Sequence, residues 1–191
     1  MKRKIVIAPD PVLRTICADI DLEKNKGLVK KLAADLADSI QSKGHFFGVG
    51  LAAPQIAKKY RMFVTAVPED GEKTVPLVFI NPIFTEKKGI LELGENPEDP
   101  DIEGCLSLPN VWGPVPRFSD ITIKFSTINN KGQLIELEQT FSHFHARVIQ
   151  HEYDHLDGIL FTDYSKEYKL PLYQREGKEY IEIDPTFADS V

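Results

Sequence analysis

At 42% hydrophobic and 27% charged over 191 residues, the chain has the composition of a soluble globular protein, and it is long enough for one domain to bury about two thirds of its unfolded surface. Its net charge of −6 argues against broad electrostatic binding of nucleic acid, which needs clustered Lys and Arg. No apolar run approaches the length of a membrane span, and the apolar run "IVIA" ends at "PDP", too soon for a signal peptide. A cytoplasmic protein is expected, in preference to one of organellar origin.

In chain order, "KIVIAP" reads as a short β-type run stopped by prolines. Cys17 reads as a small buried hydrophobe, and a disulfide to Cys105 is disfavoured in a cytosolic setting. From Gly27 to Lys43 the apolar residues Leu28, Val29, Leu32, Ala33, Leu36 and Ile40 fall at helical spacing. Lys30, Lys31, Asp35 and Asp38 lie opposite, so an amphipathic helix with a solvated charged face is expected. "SKGHFFGVG" breaks it. In "GVGLAAPQ", Gly48 to Gln55, two glycines let a backbone approach a ligand closely, and Gln55 brings an amide donor. Read by itself, the same segment is equally a tight turn before a strand.

"RMFVTAV" and "PLVFINPIF" are strand candidates, and Glu92–Asp101 is an acidic, proline-rich exposed loop just ahead of the second cysteine. "EGCLSLP", Glu103 to Pro109, places Cys105 in a turn-like segment. Trp112, close behind it, either lines a cleft mouth or packs on the surface. "DITIKFSTI-NNKG-QLIELEQTF" alternates apolar and polar residues about a turn sequence and predicts a β-hairpin. Ser142 offers an N-cap for a helix running to about Leu156, with Gly158 as its stop. On that helix Val148 faces the same way as His151, Phe144 is expected in the core, and Arg147 snorkels toward solvent. The tail, "KLPLYQREGKEYIEIDP", predicts a second hairpin turning at Glu176-Gly177. Strands preceding one late helix give an α+β fold.

"RVIQHEYDHLDG" carries the chemistry. Its core fits H-E-x-x-H, which on a helix turns His151 and His155 to one face, where neutral imidazoles can share a metal ion. Glu152 sits about 100° round from His151, placed to take a proton from an attacking water without being a ligand. A third ligand is required. Phe161 stands where one protease class has its third histidine. A metallopeptidase with a downstream glutamate ligand is one alternative, with Glu167, Glu176, Glu179 and Glu182 available, but it leaves "EGCLSLP" unexplained. A Cys105 thiolate is the other, since thiolate suits a borderline or soft divalent metal.

Together, "GVGLAAPQ", "EGCLSLP" and "QHEYDHLDG", in that order, resemble the three signature motifs of the peptide deformylases. "APDPVLR", "NPIF" and "VPR" are similar too, so that the likeness runs from about Ile5 to Tyr164. The resemblance implies antiparallel β-sheets packed around a central helix carrying H-E-x-x-H, with an amphipathic N-terminal helix. Residues 1–191 are then one catalytic domain, with 165–191 a divergent C-terminal extension. It also implies an activity: removal of the N-formyl group from the N-terminal methionine of nascent peptides, releasing formate. One divalent ion per chain is expected, Fe²⁺ in the cell, with Zn²⁺, Ni²⁺ or Co²⁺ as alternative occupants. By the same resemblance, Cys105, His151 and His155 are the metal ligands and Glu152 is the general acid/base. The Gln55 amide and the Leu106 backbone N–H are the oxyanion donors. Gly50 and Val49 bond the substrate backbone, Val148 lines the methionine pocket, and Glu103 with Arg117 steadies the cysteine segment. The expected partners are formyl-methionyl nascent peptides, with transient ribosome contact, and neither membrane nor specific nucleic acid. The tail does not resemble the basic C-terminal helix that some members dock on ribosomes.

Overall fold

The computed structural model describes residues 1–40, 48–68, 75–94, 96 and 98–191. Two antiparallel sheets carry the fold. The first has five strands in the order β1 (Gly50–Ala52), β2 (Met62–Thr65), β3 (Leu77–Glu92), β6 (Arg117–Ile128) and β7 (Leu134–Ser142). The second has four, in the order β4 (Ile102–Cys105), β5 (Leu108–Pro114), β8 (Leu172–Glu176) and β9 (Glu179–Ile183). The helices are α1 (Lys26–Ile40), α2 (His143–Leu156) and α3 (Phe161–Tyr168). No helix among the described residues is long and apolar enough to cross a membrane.

All four residues of β2 are buried because the first sheet is covered on both faces. Side chains alternate along a strand, so Met62 and Val64 meet Leu32 and Leu36 of α1, while Phe63 turns to the other face and joins Phe79, Phe125 and Ile149 of α2. The Phe63 and Phe79 rings stack at 4.5 Å, and Phe79 lies 4.3 Å from Phe125. The helix carrying H-E-x-x-H is thus held on an aromatic layer. A third cluster, including Leu108, Val111, Phe161 and Leu172, joins α3 to the second sheet.

The hairpin around "NNKG" forms in register from Asp120↔Ser142 to Ile128↔Leu134, with Gly132 at φ 71° in its turn. Helix α2 ends at Leu156, as expected. Gly158 follows at φ 73°, and a Cβ there would come within 2.7 Å of the Arg14 backbone, so both conformation and space require glycine.

Several expectations need correction. "KIVIAP" forms no strand: Val6 N–H donates to the Gln55 carbonyl at 2.8 Å and Ala8 N–H to that of Ser107 at 2.9 Å, two different segments, so no ladder develops. Asp35 does not lie on a solvated face. It is buried, and Arg3 reaches it through Nε at 2.9 Å and Nη2 at 2.7 Å. Ser142 does precede the first residue of α2, but its hydroxyl donates to Asp120 at 2.6 Å rather than capping the helix. "EGCLSLP" is two strands joined by a tight turn, and the acidic segment ahead of it falls between the end of β3 at Glu92 and the start of β4 at Ile102, as expected. The long strand β3 absorbs Pro82 through register shifts, one of them at Asn81, whose side-chain amide pairs with both backbone groups of Ile20. Helix α3 has no counterpart among the elements expected from the sequence. The predicted break at 42–47, and the end of the first predicted helix, lie outside the described residues.

Beyond α3, β8 and β9 form a hairpin through Gly177, at φ 63°, and β8 adds to β5 by the pairs Val111↔Gln174 and Trp112↔Tyr173.

Candidate active site

Three sequence-distant pieces meet where the two sheets come together. Helix α2 supplies His151, Glu152 and His155; the end of β4 supplies Cys105; the turn after β1 supplies Gln55. The Cys105 Sγ, His151 and His155 donor atoms lie within 4.8 Å of one another. Cys105 Sγ stands 3.3 Å from His155 Nε2, near the roughly 3.6 Å that tetrahedral sharing of one ion implies from ordinary metal–sulfur and metal–nitrogen bond lengths. None of Glu167, Glu176, Glu179 or Glu182 belongs to a metal-competent group among the described residues, and all four are exposed. The downstream-glutamate alternative therefore has no support.

The donor set fits a divalent metal on its own chemistry. A carboxylate can only accept, so His151 Nδ1, 2.9 Å from Glu103 Oε2, carries a hydrogen, which leaves Nε2 as the nitrogen that can bind a metal once it holds no proton. Burial disfavours the charged form of both imidazoles. At His155 burial prevails and the ring is held neutral, as a ligand must be. At His151 burial is overcome by hydrogen bonds to Cys105 and Glu103, which raise its affinity for a proton. Groups that would hold a proton there can hold a cation in its place.

Glu103 is the hub behind the ligands. Arg117 grips it through Nε at 3.0 Å and Nη2 at 2.9 Å, and Arg147 Nη1 adds a third contact at 3.1 Å. Burial acts to raise the Glu103 carboxyl, but Arg117 and His151 outweigh it and hold the group far below the usual carboxylate range. Arg117 also reaches Asp154 at 2.6 Å and stacks over Tyr164 at 4.9 Å. Arg147 does not snorkel. It is buried, donates to the Val115 carbonyl at 2.7 Å and lies 3.6 Å from Asp101. Sequence reasoning misses Arg147, Asp154 and Tyr164 as members of this network. The signal available was spacing, since Arg147 stands four residues before His151 and shares its face.

Glu152 is buried, and its Oε2 has no hydrogen-bond partner among the described residues. Burial pushes its carboxyl up to about 7. It lies against Gly50, where any Cβ would collide with the carboxylate. Gly48 is crowded in the same way by Leu106, at 2.8 Å from a built Cβ. The glycines of "GVGLAAPQ" are therefore there to admit their neighbours. The Gln55 amide is oriented unambiguously: Oε1 accepts from Ala52 N–H at 2.7 Å, which turns Nε2 toward Cys105 Sγ at 3.5 Å and Ser107 Oγ at 3.3 Å.

Every expected site residue except His155 and Arg117, which lie behind it, lines one cavity of about 420 Å³. Leu106 follows Cys105 directly in its wall. Val49 is there too, although its carbonyl already accepts from Ala66 N–H at 2.7 Å. Phe144, expected in the core, is 55% exposed and also lines the cavity: it sits in the first turn of α2, before the helix reaches the aromatic layer. Trp112 lines the cavity too.

A cysteine and two histidines converging beside a buried carboxylate, at the foot of an apolar cleft, is the arrangement of a metallohydrolase. Residues 2–170 match the polypeptide deformylase family, and the chain belongs to that family. It is 41% identical over 172 residues to the peptide deformylase of Cytophaga hutchinsonii, covering 88% of this chain and 84% of that one. The crystal structure of the Thermus thermophilus peptide deformylase superposes with a TM-score of 0.66 at 37% identity, over 85% of each chain. An Acinetobacter baumannii class I type b peptide deformylase, solved with Met-Ala-Ser bound, gives 0.70 at 28% identity, covering 86% of this chain and 98% of that one.

Proposed function

We propose that this chain hydrolyses the formamide of N-formyl-methionyl peptides, releasing formate and the free amine, with one divalent ion held by Cys105, His151 and His155. When bound, that ion supplies Lewis-acid stabilisation and eases deprotonation of the attacking water. Glu152 takes the proton of that water and delivers it to the departing amine, a role suited to a buried carboxyl raised toward neutrality. The Gln55 amide and the Leu106 N–H donate to the formyl oxygen as negative charge develops there, each worth about 3–4 kcal/mol when lost. Val148, with Phe144 and Leu106, gives the methionine side chain an apolar wall. Val49 and Gly50 hold the peptide backbone, and Glu103, clamped by Arg117, fixes the orientation of His151.

The observation that carries this reading is the Gln55 amide locked beside Cys105 Sγ. A structural metal would not need a donor there, nor Glu152 beside it. Likeness to the deformylases makes Fe²⁺ the expected native ion, and a thiolate beside two imidazoles also suits Zn²⁺, Ni²⁺ or Co²⁺ in its place. We take residues 1–191 as one catalytic domain, acting in a bacterial cytoplasm on chains leaving the ribosome.

Protein purified without oxygen and loaded separately with Fe²⁺, Zn²⁺, Ni²⁺ and Co²⁺ should release formate from formyl-Met-Ala-Ser. Fe²⁺ should be the most active, chelation should abolish release, and Glu152→Gln should lower kcat by about 10²–10⁴-fold with the metal retained. Cys105→Ala should lose the metal itself. No formate from any loaded form would overturn the reading.

A further inference from the structure

The hairpin of β8 and β9 lies beyond residues 2–170, so family membership does not account for it. It joins the second sheet at Val111 and Trp112, two residues that line the cavity. On the β5 edge away from the hairpin, Trp112 stands opposite Gly104, the residue before Cys105. A Cβ on Gly104 would come within 2.8 Å of the indole ring, so the ring lies against the β4 backbone in a space only glycine leaves. On the hairpin side, the Tyr180 and Trp112 rings meet in a T-shaped contact, with centroids 5.9 Å apart and planes at 79°. Tyr180 is itself 43% exposed. Trp112 is therefore set from within by the cysteine strand and from without by the hairpin.

A cavity of about 420 Å³ is in the range that takes a drug-sized molecule, more than one methionine side chain fills. The half-exposed ring of Phe144 lines the same cavity. Two flat apolar rings in the wall of one cavity favour a bulky apolar or aromatic side chain packed against them.

We propose that Trp112, seated by Tyr180 of the C-terminal hairpin, selects substrates by the side chains that follow the formylated methionine, favouring bulky apolar ones. This rests on the deformylase reading above. Selection of this kind acts through binding: a side chain is gained or lost against an apolar wall, while the reacting groups are untouched.

The test is formate release from formyl-Met-Ala-Ala, formyl-Met-Phe-Ala and formyl-Met-Ala-Phe by the metal-loaded full chain. The native protein should prefer one or both Phe peptides through KM. Trp112→Ala should reduce that preference on the order of tenfold. Tyr180→Ala should reduce it by a smaller factor with formyl-Met-Ala-Ala turnover unchanged, and Tyr180→Phe should restore it. If Trp112→Ala does not fold, Tyr180→Ala, on an exposed strand, decides alone. A preference unchanged in Trp112→Ala, or changed there but unchanged in Tyr180→Ala, overturns the proposal. Absence of formate from all three peptides with the native protein overturns instead the reading beneath it.

Discussion

At Gly50 the smallest possible addition to the chain would displace the Glu152 carboxylate, the group proposed to move the proton. The backbone there is extended and pairs with Thr65 in the sheet, so alanine is acceptable to the strand and unacceptable only to Glu152. Gly50→Ala is thus a way to move Glu152 without altering its chemistry. The expected result is a kcat about 100-fold lower, the range of a lost general acid/base, with metal content and melting temperature close to native. Formate release and metal analysis on the same preparation would check it; an active Gly50→Ala would mean that Glu152 is elsewhere when it works. Gln55 makes the complementary point. Its orientation is set by one backbone N–H, that of Ala52, so the short segment between them acts as a jig for the donor.

At the scale of elements, α2 is the part that does most with periodicity. Arg147, His151 and His155 fall four residues apart on one face, and Glu103 arrives from β4 to meet the first two. Arg147→Ala should weaken metal retention by about tenfold, the usual cost of loosening a partner of a ligand. Competition with a chromogenic chelator would measure this, and Arg147→Lys should recover part of it. The same helix shows what was legible and what was not. Its span, its stop at Gly158, the two histidines and Glu152 followed from spacing and from glycine. The burial of Arg147 did not, because hydropathy assigns an arginine to solvent and the carboxylate that brings it inside lies on another strand. Asp35 on α1 misled for the same reason, its partner Arg3 being outside the helix. Periodicity reports which face a residue is on, and not what arrives to cover that face. The strands of "EGCLSLP" were missed because their hydrogen bonds go to each other across a turn too tight to leave a strand-length pattern.

Over the whole molecule, one sheet covered by helices on both faces carries the helix with H-E-x-x-H, and the second sheet brings the cysteine to it. The N-terminal segment is tied to this body through Asp35. Burial acts to raise that carboxyl, but its bonds to Arg3 outweigh it and the group is held below its ordinary value. A depressed carboxyl contributes stability that is present above its unfolded pKa and is lost as the pH falls through the folded one. The difference in urea midpoint between the native chain and Asp35→Asn should be full above about pH 5 and should close below about pH 4. Arg3→Ala should cost about 1–3 kcal/mol at neutral pH, the cost of leaving a buried charged acceptor short of a partner.

The two cysteines differ in a way that gives the protein its own gauge. Cys17 is 4% exposed, and burial pushes its thiol up to about 11, while Cys105 opens on the cavity. A coloured thiol reagent applied to the folded, metal-free chain should therefore count one fast group per molecule, with the second appearing only in denaturant. Titrating Zn²⁺ back should silence that one group in step with binding. The fraction silenced would then read site occupancy directly, without substrate and without reference to any rate of turnover. Two fast thiols, or one indifferent to the metal, would show that Cys105 is not a ligand.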